Sequence, residues 1–124
     1  MNQPDLAEKR KFKRWQLIFY LRTFDQNTGV LLGHVVDISE EGLMLISDTP
    51  IPAEQTFHLG LDVPRETGPR LRIELEARSL WSRPDVNPDF YDTGFRILSI
   101  TPYALRKLRH LIEDFKFEFK ITPD

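Results

Sequence analysis

Cysteine is absent from the 124-residue chain, which excludes disulfides, zinc-thiolate sites, iron–sulfur clusters and a cysteine nucleophile. Glycine is scarce, with six residues and none grouped, so the glycine-rich loops that cradle nucleotide phosphates are missing. No apolar run approaches the ~20 residues of a membrane-spanning helix, and no insertion into a membrane is expected. The three histidines, His34, His58 and His110, stand far apart in the chain, without the H-x₃-H spacing of a metal site. Each reads as a structural or surface residue, and no metal is expected. The start, MNQPDLAEKRKFKRW, has no apolar stretch beside its charges, so it is not a secretory signal and a cytoplasmic protein is expected. What remains, 40% hydrophobic and 29% charged, is the usage of one ordinary globular domain.

Charge of one sign is concentrated at one end. Residues 1–14 hold five Lys/Arg against two Asp/Glu, a head of +3, whereas residues 15–124 hold twelve against seventeen, a body of −5. Lys9, Arg10, Lys11, Lys13 and Arg14 make a cluster able to neutralise phosphates. Only Phe12 offers sizeable apolar surface among them, too little to offset an ordering entropy of ~1–2 kcal/mol per residue. A flexible basic segment over 1–14 is expected, and its plain alternative is a solvated tail.

Beyond the head the pattern is that of short strands. Trp15 to Asp25 is aromatic and β-branched, and Gln26-Asn27-Thr28-Gly29 supplies a turn. Val30 to Val36 returns, Asp37-Ile38-Ser39-Glu40-Glu41-Gly42 interrupts, and Leu43 to Ser47 resumes. Phe57, Leu59, Leu61 and Val63 alternate with polar or small residues, as do Leu71, Ile73, Leu75 and Ala77 in a strand continuing to Trp81. Pro84 to Pro88 breaks the pattern. Phe90 to Ile100 forms a last strand, whose Gly94 signals a bulge or a close backbone approach. Thr101-Pro102 has the form of a helix cap followed by proline at the first helical position, and Leu105, Leu108, Ile112 and Phe115 recur at helical spacing over about 102–118. Phe117 and Phe119 beyond that stripe are expected to pack against something. The sum is a mainly β domain over 15–120: about six antiparallel strands in a small sheet or barrel, with one C-terminal helix over an opening.

Catalytic signatures are lacking. Ser39 beside Asp37 stands in D-x-S-x-x-G rather than the G-x-S-x-G of a hydrolase elbow, and no nucleophile with a base, metal cluster or paired carboxylates can be assembled. Two short motifs carry recognition chemistry instead. Arg10-x-x-x-Arg14 places two guanidinium forks just before the first strand, each able to pair with a phosphate, read the Hoogsteen edge of guanine or stack on a base. Asp37-x-Ser39-x-x-Gly42 turns the chain between strands. Its carboxylate can accept from the N1–H and N2–H₂ of guanine, its hydroxyl can serve a base or phosphate, and its glycine permits a close approach. Taken alone, the first is what any basic tail produces and the second is an ordinary Asx or Ser turn.

Together, R-x-x-x-R before the first strand and D-x-S-x-x-G after the second, in a chain ending in a helix, closely resemble the PilZ domain. Leu80-Trp81 and Asp92-Thr93-Gly94-Phe95 also resemble the family's final strands. The resemblance implies a six-stranded antiparallel β-barrel with a C-terminal α-helix that binds cyclic di-GMP and performs no catalysis. By position it implies that Arg10 and Arg14 grip ligand phosphates and guanine, and that Asp37, Ser39 and Gly42 form the guanine-contacting turn. Trp81 stands where some relatives set a tryptophan against the ligand, although a large aromatic on a strand equally serves packing. Lys9 precedes the first arginine, a position that in the family bears on whether one or two stacked ligands bind; a basic residue there tilts the expectation to two.

The expected function is therefore a cyclic di-GMP receptor without other cofactors, whose basic head folds onto the barrel and whose new surface meets a downstream protein. Two readings stand beside it. One is a single-stranded nucleic-acid binder on a small barrel, against which the acidic body argues. The other is a degenerate member of the family that makes protein contacts only.

Overall fold

The computed structural model describes residues 14–65, 67–69 and 71–116. Lys9, Arg10, Phe117 and Phe119 lie outside the described residues, as does the expected basic segment except for Arg14. The strands are β1 (Trp15–Asp25), β2 (Leu31–Ile38), β3 (Gly42–Ser47), β4 (Thr56–Val63), β5 (Leu71–Pro84) and β6 (Tyr91–Ser99), followed by helix α1 (Pro102–Phe115). They close into an antiparallel barrel in the order β1-β2-β3-β6-β5-β4. Closure removes the unpaired edges that an open sheet of this size would expose. The shortest seam joins β1 to β4, through Thr23–Asp25 against Leu59–Leu61.

The alternation of apolar residues is what fills the barrel. Leu21, Val35, Ile38, Leu43, Leu45, Leu59, Leu61, Ile73 and Leu75 point inward and are almost wholly enclosed. Phe95 is the largest of the fully buried side chains, and its ring meets Phe57 edge-on at 5.8 Å. Helix α1 lays Ala104, Leu108, Leu111 and Ile112 into the same core. Thr101 caps it by accepting from the Ala104 amide at 3.1 Å, with Pro102 at the first turn, as its sequence predicts. The helix ends at Phe115. There Lys116 adopts an extended backbone and bridges to Leu17 of β1. No helix among the described residues is long and apolar enough to cross a membrane.

Two strands run further than their sequence pattern predicts. β2 continues through Asp37 to Ile38, so the Asp37 carboxylate stands on a strand rather than in the turn. β5 continues past Trp81 to Pro84, whose partner is Tyr91; proline is tolerated there because it is the last residue of the strand. Each continuation crosses a β-bulge. On β2, Val35 pairs with Leu45 but Asp37 with Met44, leaving Val36 as the extra residue. On β5, Ser79 pairs with Phe95 but Trp81 with Gly94, leaving Leu80 as the extra one.

Phe95 joins the β6 wall, Phe57 of β4 and the core in one contact set. Phe95→Ala is expected to destabilise the domain by about 3–5 kcal/mol, read as a lower urea midpoint with tryptophan fluorescence as the signal.

Candidate functional site

A bulge reverses which face the following residues occupy, because side chains alternate with a period of two. Without the extra Val36, Asp37 would follow Val35 into the core. Without the extra Leu80, Trp81 would follow Ser79, which is fully buried. With both bulges present, Gln16, Asp37, Met44, Gly94 and Trp81 are successive cross-strand partners. They form one row across the outside of the barrel. Gly94 lies between Thr93 and Phe95, both pointing inward, so its own face is outward, and the Trp81 indole occupies it. A Cβ at Gly94 would come within 2.5 Å of that ring. The close approach expected at Gly94 is thus made by a side chain.

Asp37 is half-buried, and the Arg14 Nε lies 3.6 Å from its Oδ1. That spacing is a charge pair rather than a hydrogen bond, so the arginine fork is not consumed by it. The next turn of chain is held from within. Ser39 is buried, its Oγ accepts from the Glu41 and Gly42 amides, both at 3.1 Å, and its own amide donates to the Gly42 carbonyl at 2.8 Å. The hydroxyl of Ser39 therefore shapes the turn. Gly42 is required by packing, since a Cβ there would meet the Phe95 carbonyl oxygen at 2.4 Å. Two outside contacts fix the same turn: the Ile97 amide donates to the Glu41 carbonyl at 2.7 Å, and Arg109 of α1 pairs with Glu40 at 2.8 Å.

A shallow groove of about 300 Å³ runs beside this row, lined by Gln16, Tyr20, Asp37, Met44, Asp85 and Asp92 among others. Asp92 pairs with Ile46 on one side and Arg83 on the other, and its Oδ1 is enclosed without a hydrogen-bond partner among the described residues. Burial pushes the Asp92 carboxyl up from its ordinary value. Hydrogen bonding with Asp85 and repulsion from Asp85 and Asp37 push the same way, and Arg83 opposes them. Asp85 is held below its ordinary value chiefly by the Asn87 amide, 3.0 Å from its Oδ2. The Arg83 guanidinium in turn stacks over Trp81, 4.4 Å from the ring centroid. The wall thus presents carboxylate acceptors beside an aromatic surface, with a cation at each flank: suited to a base edge rich in N–H donors, and hostile to a bare anion unless cations accompany it.

The profile of the PilZ domain matches residues 8–114 of the sequence. The chain belongs to the PilZ domain family. Three solved structures share the fold at low sequence identity. The Bacillus subtilis inhibitor of motility (MotI/DgrA) superposes with a TM-score of 0.67 at 17% identity, over 86% of this chain and 50% of that one. The PilZ domain of Escherichia coli YcgR with c-di-GMP gives 0.62 at 16%, over 86% and 90%. YcgR of Escherichia coli in complex with c-di-GMP gives 0.66 at 15%, over 86% and 45%. This chain spans about half the length of MotI/DgrA and rather less of the longer YcgR chain. No curated protein matches it significantly.

Of the residues singled out from the PilZ motifs, the structure brings Arg14, Asp37, Ser39, Gly42 and Trp81 to one side of the barrel. Lys9 and Arg10 fall outside the described residues. Neither Asp85 nor Asp92 is singled out as a site residue by the sequence. Asp92 carries a faint signal, an acid two residues before a strand glycine, whereas Asp85 looks like any loop acid.

The raised Asp92 carboxyl has a consequence for stability. Because its folded pKa lies above the ordinary 3.8, its ionisation disfavours the fold above that raised pKa and has no effect below 3.8. Asp92→Asn is expected to raise the thermal midpoint at neutral pH, with the gain shrinking as pH falls through the raised pKa and vanishing in strong acid. A gain independent of pH would show that charge is not the cause.

Proposed function

We propose that the protein is a cyclic di-GMP receptor, in which Asp37 accepts the Watson–Crick edge of one guanine while Arg10 and Arg14 hold phosphate and stack on base. The observation that carries this reading is the placement of Asp37 on the outer wall, 3.6 Å from Arg14 and directly beside the Ser39–Gly42 turn. Ser39 and Gly42 serve by giving that turn its shape. Trp81 offers a flat surface three strands away in the same row. Lys9 adds positive charge for crowded phosphates and favours two stacked ligands over one.

The wall also explains why a small cyclic ligand suits the site better than a nucleic-acid strand. Asp37, Asp85 and Asp92 border the groove and repel a continuous phosphate backbone, whereas a ligand with two phosphates and two guanines can direct donors at the acids and phosphates at the head. Ligand phosphates would draw residues 9–14 against the wall, and the surface so formed would meet a downstream protein.

Calorimetric titration with cyclic di-GMP, with GTP and a short oligonucleotide as controls, tests this directly. Selective binding of cyclic di-GMP is expected, and binding of the oligonucleotide alone would replace the reading. Arg10→Ala and Arg14→Ala should each weaken binding by about 10- to 100-fold, the loss of charge-assisted hydrogen bonds of ~1.5–3 kcal/mol, and should flatten the salt dependence. Asp37→Ala should lose affinity without that flattening. Amide hydrogen exchange should gain protection over residues 9–14 and 37–42 on ligand addition, with α1 little altered. Binding without new protection would leave the receptor and remove the switch.

A further inference from the structure

Next to the row of Asp37 and Trp81, about 7 Å along the strands, runs a second outward row of successive partners: Gly42, Arg96, Arg78 and Thr56. It sets two arginines directly opposite each other across β5 and β6, both exposed. Like charges at directly opposed positions repel, and such an arrangement is normally relieved by an acid nearby.

Here it is not relieved. The other strand arginines are all engaged: Arg22 lies over Phe24, Arg72 pairs with Asp62 at 2.7 Å and Arg83 lies over Trp81. Arg78 and Arg96 have neither an ion pair nor a hydrogen bond from their side chains among the described residues. No acid among the described residues forms an ion pair with them. Glu40 is held by Arg109, Glu41 has an interaction of its own, and Glu76 lies one pair further along, with its backbone opposite His58 and Ser99. Two uncompensated cations side by side stand out on a body that carries −5 overall. Their neighbour on the β3 side is Gly42, which adds no charged side chain to the row.

We infer that Arg78 and Arg96 form a two-guanidinium clamp for a phosphate group on the outer wall, beside the Gly42 turn and Trp81. Each fork presents paired N–H donors matched to phosphate oxygens, and a dianion or phosphodiester between them would replace the repulsion with attraction on both sides. The position also distinguishes a phosphate from an acidic protein surface. One row away lie an aromatic ring and a carboxylate able to take a base, so phosphate and base of one nucleotide can be accommodated together. The identity of that nucleotide rests on the cyclic di-GMP reading; the clamp itself does not.

The test uses the full chain, with cyclic di-GMP and inorganic pyrophosphate as separate probes. The readouts are calorimetry and the arginine Nε–Hε resonances, assigned by the loss of each signal in Arg78→Gln and Arg96→Gln. Both probes are expected to shift the Arg78 and Arg96 resonances. The double variant R78Q/R96Q should weaken cyclic di-GMP by roughly tenfold or more and lower its salt dependence, with its thermal midpoint preserved. R78K/R96K, which keeps charge but loses the fork, should recover only part of the loss. If cyclic di-GMP binds with unchanged affinity to both double variants and moves neither resonance, the clamp is overturned and the receptor stands. If cyclic di-GMP fails to bind but pyrophosphate shifts both resonances, the receptor reading falls and the clamp stands as a site for free phosphate. If neither probe moves either resonance, the clamp is overturned whatever the variants do, since this measurement on the unaltered protein needs no substituted chain to fold.

Discussion

A carboxylate cannot follow Val35 into a dry core without a partner, because the desolvation of an ionised group outweighs anything a barrel of this size returns. The extra residue at Val36 resolves the conflict by turning Asp37 outward while leaving Ile38 fully buried. Leu80 does the same on β5, where it turns Trp81 onto Gly94. Between these bulges β3 and β6 run in unbroken register from Gly42↔Arg96 to Ser47↔Tyr91, so the two displaced side chains arrive in a common row. Everything proposed for the outer wall follows from that registration. A slip of one residue on either strand would return the chemistry to the interior and expose the apolar set.

Charges on the wall are segregated by sign rather than mixed. Asp37, Asp85 and Asp92 lie along the groove, Arg83 covers Trp81, and Arg78 with Arg96 occupies the next row. The Asp37 acceptor and the Arg78–Arg96 pair thus occupy adjacent rows, about 7 Å apart along the strands. The head of +3 and the body of −5 express the same division at the scale of the whole chain.

Most of the strands were legible because each is written in local alternation: Leu71 to Ala77 with its intervening Arg72, Glu74 and Glu76 needs no tertiary information to be read. The helix start was equally plain, since Thr101-Pro102 combines a capping oxygen with a residue that lacks the amide the first turn leaves unpaired. The bulges were not legible. Val36 and Leu80 are ordinary strand residues, and a bulge exists only relative to a partner strand. For the same reason nothing in the sequence singles out Arg78 on its alternating strand. Its meaning comes from Arg96, eighteen residues on, and the two meet only when β5 and β6 pair. The motif residues Asp37, Ser39 and Gly42 were legible as a group, yet their division of labour was not: the burial that commits the Ser39 hydroxyl to the Glu41 and Gly42 amides depends on β3 and β6 closing over it.

The turn from Ser39 to Gly42 is where wall and helix meet. Its interior is satisfied by Ser39, its outer backbone is bonded to Ile97 of β6, and Glu40 is paired with Arg109 of α1. The Arg109–Glu40 pair is exposed, and such pairs contribute at most about 1 kcal/mol, so it can yield without cost to the core. The Ser39 bonds cannot, because breaking them would strand buried polar groups. A ligand seated on the turn therefore meets a backbone that does not give and a helix contact that does. The barrel is thereby better suited to acting as a rigid platform than as the moving part.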